Sequence, residues 1–240
     1  MALPKLNVPV YETILPSTET VIKYRPFLVK EEKILLTALE DETGESLPSA
    51  VRQIINNCVQ GELDVDRLPT FDIEYVFLRL RAKSVGEKVS IGLKPYPCSQ
   101  NKGELCENAT EVEINLEEVK VVKDKNHKNK IMLDDKIGVL MEYPNSSTLQ
   151  ATKGDAFAIG MSLIKGGIKM IFTEEETHEK DTFTDEELEE FVDSLSSEQF
   201  LKIKNFYDTM PVLRHIVKYK CSTCGEDKET TIDGLNSFFG

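Results

Sequence analysis

Two cysteines three positions apart, in "KYKCSTCGEDKETTI", are the residues of this chain whose type and spacing most directly suggest chemistry. Ile216, Val217 and Tyr219 lead into Cys221 and Cys224 as a strand would, and "KETTI" leaves as one, so the pair is expected in a tight hairpin turn that Gly225 allows to close. That is the shape of a zinc knuckle, in which successive backbone N–H groups point at two thiolates. A closed tetrahedral site needs about four ligands. Cys98 and Cys106 are the natural complement, because they too occupy a loop between two expected strands. The expectation is a discontinuous, zinc-ribbon-like four-cysteine site, Cys98, Cys106, Cys221 and Cys224, joining distant segments. The Cys98–Cys106 interval is wider than the about two to four residues usual for such pairs, so topology carries the expectation more than spacing does.

Other chemistries fit these thiols less well. A redox Cys-x-x-Cys belongs at a helix N-terminus in a thioredoxin-like βαβ unit, and the flanks of Cys221 offer neither the helix nor its apolar run. Unligated thiols rank second to zinc, ahead of an iron–sulfur cluster or a site in which His215 replaces a cysteine. The fifth cysteine, Cys58, falls on the apolar side of a helical pattern, where it is expected to be buried as a small hydrophobe. None of His127, His178 and His215 has a Ser or Cys nucleophile in a recognisable turn nearby, and no glycine-rich phosphate loop follows a strand. The chain is not expected to be an enzyme or to take a small-molecule substrate.

The elements that must hold the cysteines read as α+β, helices packed with a small antiparallel sheet region. Residues 1–28 are proline-punctuated, with a strand in "ETVIKYRPF", and suggest an extended N-terminal arm. Two short helices follow over 30–41 and 47–59, the second with Pro48 at its start. Thr70 begins a third helix with Phe71, Tyr75 and Leu78 on one face, and strands are expected in "EKVSIGLKP" and across 110–122. A strand pair lies within 130–144, and the apolar stretch 155–172 reads as one helix despite Gly160, Gly166 and Gly167. Thr184 with Glu187, and Ser196 with Gln199, form capping boxes for two more helices, the second closed by Pro211. The expected division is an arm at 1–28, an α+β region at 29–145 with the first cysteine pair, and a mainly helical region at 146–240 ending in the Cys-x-x-Cys hairpin. The last two could form one domain.

Charge narrows the partners. Of the net −13, residues 174–193 hold eleven acids and one lysine. This segment is expected to be a solvated helix face and loop. The one modest basic cluster, "KVVKDKNHKNK" at 120–130, is short and loop-like, so nucleic acid is not an expected partner. No apolar run reaches the length of a signal peptide or of the roughly 20 residues that span a bilayer, so neither secretion nor a membrane is expected.

Three stretches together, "LPKLNVPVYETILPSTETVIKYRPFLVKEEKILLTALE", "FDIEYVFLRLRAKSVGEKV" and "CSTCG" followed by "GLNSFF", resemble the baseplate hub assembly protein family of T-even-type contractile-tailed bacteriophages. The likeness covers most of the chain and is most specific at residues 15–39 and 71–90. It implies a non-enzymatic tail protein, a hub subunit or hub assembly factor. Such a protein would be made in the host cytoplasm and dock on other baseplate hub or tail proteins. The alternative from another class, a zinc-ribbon adaptor of phage transcription or replication, would be expected to carry a basic face.

Overall fold

The computed structural model describes residues 7–41, 43, 46–93, 110–146, 148 and 155–238. The chain forms two compact units, and each is discontinuous in sequence. The first gathers residues 1–65, 71–122 and 212–240, and the second residues 66–70 and 123–211. The second is thus inserted between two strands of the first. These boundaries differ from the expected cuts after 28 and 145, because strands far apart in sequence pair with one another.

The first unit is organised around α3 (Thr70–Ser84), whose Phe71, Ile73, Val76, Phe77, Leu78 and Leu80 are all buried. A helix with so much of its surface buried needs cover from several elements. A sheet of β1 (Tyr11–Ile14), β2 (Val21–Tyr24) and β3 (Val59–Gln60) gives part of that cover. The alternation of β2 sends Ile22 and Tyr24 inward and Val21 and Lys23 outward. Residues 7–28 are therefore a hairpin built into this unit rather than a separate arm: Leu15, Ile22, Tyr24 and Phe27 are buried. Burial of each such side chain contributes about 1.5–3 kcal/mol. α1 (Val29–Leu39) and α2 (Leu47–Cys58) pack on each other, and the stripe Val51, Ile54, Ile55 and Cys58 is buried as its spacing predicts.

The polar residues of α3 fasten the rest of the unit to it. Buried Asp72 accepts hydrogen bonds from the Ser17 backbone N–H (3.1 Å) and hydroxyl, which pins the β1–β2 turn. Burial raises the pKa of this carboxyl and the Ser17 bonds oppose the rise. Arg79 donates to the carbonyls of Leu116 (3.0 Å) and Val119 (2.7 Å), and Ser84 Oγ accepts from the Phe27 N–H (2.9 Å). Glu74 accepts from the Leu235 N–H (3.2 Å), which holds the C-terminal turn.

Two further sheets complete the unit. β4 (Lys88–Leu93) pairs with β5 (Thr110–Asn115), and β6 (Lys120–Val122), β11 (Val212–Lys220) and β12 (Asp227–Asp233) form a sheet in the order β12-β11-β6. The single strand expected over 110–122 is broken after Asn115. Its side chain accepts from the Glu117 N–H (3.0 Å), closing a turn that sends β6 to β11.

In the second unit β7 (Lys130–Met132), β8 (Gly138–Met141), β9 (Ile168–Phe172) and β10 (Thr177–Glu179) form an antiparallel sheet in the order β10-β9-β8-β7. Helices α4 (Ala156–Gly167), α5 (Asp185–Asp193) and α6 (Ser197–Thr209) accompany it. Val139, Met141, Ile164, Ile168, Leu188, Val192, Ile203 and Phe206 make the core. Both capping boxes form as expected, with Glu187 reaching the Thr184 N–H (2.7 Å) and Gln199 the Ser196 N–H (2.9 Å). The expected helix over 155–172 ends at Gly167, where Tyr207 closes over the backbone and donates to the Leu163 carbonyl (2.6 Å). Ile168–Phe172 continues as β9. The acidic stretch likewise contains a strand, β10, ahead of α5.

Candidate metal centre

The β11–β12 hairpin runs in register from Arg214↔Asp233 to Lys220↔Asp227 and carries the cysteine pair in its turn. Cross-strand pairs Arg214–Asp233 (2.7 Å) and Lys218–Glu229 (3.5 Å) support the strands from their exposed face, each contributing a few tenths to about 1 kcal/mol. At the tip, the Cys221 N–H donates to the Glu226 carbonyl and the Gly225 N–H to the Cys221 carbonyl, both at 2.9 Å. Gly225 has φ +73°, the left-handed conformation that glycine enters without penalty. The turn, called the knuckle below, is thus the tight Cys-x-x-Cys hairpin turn that the sequence predicts.

Cys221 is buried and Cys224 half-buried, and the two pack on each other as a small cluster. Two thiols held side by side by a tight turn are suited to bind one soft or borderline metal ion as thiolates. Two ligands do not close a site. Cys98 and Cys106 lie within 94–109, outside the described residues. Among the described residues no group of three or more His, Cys, Asp and Glu side chains is placed to hold a metal, so His215, paired across the hairpin with Ile232, does not complete such a group.

The surroundings of the knuckle bear on where further ligands would come from. Thr110, first residue of β5, accepts a hydrogen bond at Oγ1 from the Ser222 N–H (3.2 Å), and its hydroxyl lies 3.2 Å from that of Ser222. Thr110 is also the cross-strand partner of Leu93, the last residue of β4. The two ends of the segment that carries Cys98 and Cys106 are therefore side by side, one of them against the knuckle. Sequence reasoning could not find the Thr110–Ser222 contact, since nothing local marks a partner 112 positions away.

His127 is the other polar feature that sequence reasoning passed over. It is buried in the second unit against Tyr143 and Phe206, with ring centroids 5.6 and 5.0 Å away. Thr209 gives its hydroxyl proton to the Asn205 carbonyl (2.6 Å), so its oxygen accepts from His127 Nδ1 (2.9 Å) and Nε2 accepts from the Tyr143 hydroxyl (3.0 Å). Burial, and secondarily Lys123, lower its pKa, with Asp124 opposing. The arrangement is that of a neutral structural histidine. No helix among the described residues is long and apolar enough to cross a membrane.

The chain is thus an α+β protein of two units, the second inserted in the sequence of the first. Against models of protein families, the chain matches the family described as T4 bacteriophage base plate protein over residues 8–240. The chain belongs to that family: it is a T4-type phage baseplate protein. No curated protein and no solved structure matches it.

Proposed function

We propose that this protein is a non-enzymatic component of the central hub of the tail baseplate, a hub subunit or hub assembly factor that works by docking on other hub or tail proteins. The observation that carries this reading is the extent of the baseplate-family match, residues 8–240. The likeness at residues 15–39 and 71–90 supports the hub in particular. Those stretches form the β1–β2 hairpin, α1 and α3, the centre of the first unit. The protein acts in the host cytoplasm during assembly and at the tail baseplate.

A structural zinc belongs to the same reading. Its ligands are Cys221 and Cys224 from the knuckle and Cys98 and Cys106 from the segment between β4 and β5. Cys98 lies five residues beyond Leu93, and Cys106 four before Thr110. At up to about 3.3–3.6 Å per residue, each has a span of roughly 13–18 Å from its strand end, Thr110 lying against the knuckle and Leu93 paired with Thr110. Zinc is favoured over iron–sulfur because a tight Cys-x-x-Cys hairpin turn suits a single tetrahedral ion.

The test is affinity purification of a tagged copy expressed during infection. Recovery of baseplate hub proteins is the expected result. Recovery instead of polymerase or replication proteins, together with a salt-sensitive gel shift on DNA, would replace docking at the hub with the adaptor role.

A further inference from the structure

The sheet of the second unit ends in two unlike edges. β7 forms one and β10 the other, and among the described residues neither has a partner on its outer side. β7 carries exposed Lys130 and follows a loop with Lys123, Lys125 and Lys128 against one aspartate. β10 carries exposed Glu179 and is flanked by Glu174, Glu175, Glu176 and Asp181. Short strands and charge normally guard an edge against pairing, and that guard works when the meeting edges have the same sign. Here the two edges are opposite.

The backbone groups at the two edges match as well. Met141 N–H donates to the Asn129 carbonyl (2.7 Å) and Leu133 N–H to that of Ile137 (2.9 Å), so alternate residues of β7 face β8 and the N–H and C=O of Lys130 and Met132 face outward. Thr173 N–H donates to the Glu176 carbonyl (2.8 Å), and the same alternation turns Thr177 and Glu179 outward on β10. The Glu179 carbonyl is engaged by Thr182 Oγ1 (2.7 Å), which leaves Thr177 N–H and C=O and Glu179 N–H for a partner strand.

We propose that this face binds a second copy of the chain, β10 of one copy adding antiparallel to β7 of the next, with Met132 opposite Thr177 and Lys130 opposite Glu179. Met132 and Thr177 exchange two hydrogen bonds, and Glu179 N–H donates a third to Lys130 C=O. Lys130 Nζ, which lies 4.6 Å from the centre of the Phe172 ring in the single copy, turns outward to meet the carboxylate of Glu179 across the junction. Strand directions alternate through β7, β8, β9 and β10, so the added β7 runs parallel to the first and every copy keeps one orientation. The junction is heterologous and closes into a ring or runs on as a filament. Turn acids Asp134 and Glu175 come level in this register and oppose the Lys130–Glu179 attraction, so association is weak in the isolated protein. A shared scaffold would raise it through effective concentration.

Zero-length carbodiimide cross-linking of the full chain tests this, using a mixture of heavy-isotope-labelled and unlabelled protein. The expected product is a mixed-isotope link between fragments containing Lys130 and Glu179. Within one copy the two backbones sit on opposite sheet edges, about 14 Å apart at about 4.7–4.9 Å per strand, and any link inside a copy carries a single isotope, so only the mixed-isotope product reports the junction. Lys130→Glu alone and Glu179→Lys alone each lack one of the two groups that react, so neither gives the link and each serves as the baseline for the mixture. Mixing the two variants should restore it, because each then offers the edge that the other lacks. Both positions are exposed, and thermal melting confirms folding. Absence of the mixed link at the highest soluble concentration, or failure of the mixture to restore it above the level of the single variants, would overturn the proposal. The inference stands independently of the hub reading.

Discussion

Thr110 and Ser222, 112 residues apart, meet at 3.2 Å, and their contact sets the return of one cysteine-bearing segment against the turn of the other. If the four cysteines hold zinc, elemental analysis of protein prepared without chelator will find about one ion per chain, and Cys221→Ser will abolish it. Thr110→Val will keep the metal and lose about 1 kcal/mol of stability, the net worth of one hydrogen bond. Metal-free wild type, or full retention in Cys221→Ser, would remove the site.

Arg79 spans from α3 to two carbonyls of the β5–β6 turn, with its guanidinium 4.7 Å from the Tyr75 ring centre. Arg79→Ala should destabilise the chain by about 2–4 kcal/mol in denaturant titration, since two carbonyls lose a charged donor. Arg79→Lys should recover only a fraction, because one ammonium cannot reproduce the fork. A lysine variant as stable as wild type would show that the two-pronged geometry is immaterial.

His127 predicts a pH dependence of definite sign. Its pKa is depressed in the folded chain, so the unfolded chain binds the proton more tightly. Stability is full above the ordinary histidine value of about 6.5, declines as pH falls from there to the folded pKa, and is level below it. His127→Phe keeps the stacking on Tyr143 and Phe206, leaves two hydroxyls without their ring partner at a cost of about 1–2 kcal/mol, and should flatten this decline. An unchanged slope in the variant would assign the acid sensitivity elsewhere.

At Gly167 an added Cβ would collide with the Tyr207 hydroxyl, which is held by the Leu163 carbonyl. Gly167→Ala should cost about 1–3 kcal/mol through overpacking. Combined with Tyr207→Phe, its cost should shrink, and a double-mutant cycle with zero coupling energy would contradict the contact.

Features set by neighbouring residues were legible in the sequence. Thr184 with Glu187 and Ser196 with Gln199 needed only a spacing of three, and the buried stripe of α2, Cys58 included, needed only its periodicity. The Cys221–Cys224 turn was legible because strand-forming residues bracket it. Ile168–Phe172 was not, since an apolar run after a helix suits either conformation and Tyr207, 40 positions later, decides at Gly167. The break after Asn115 follows from pairing with β11 across almost a hundred residues. The same distance hid the units, for no local signal says that residues 212–240 return to a sheet begun by β6. Of the candidate site, the turn that carries Cys221 and Cys224 is described, and Cys98 and Cys106 lie outside the described residues.

The most direct measurement of the central claim is quantitative mass spectrometry of tails and hub intermediates from phage that carries or lacks this gene. The account predicts peptides of this chain in hub intermediates of the complete phage, and no assembled hub when the gene is deleted. Normal, infectious tails from the deletion, with the chain absent from every tail intermediate of the complete phage, would contradict it.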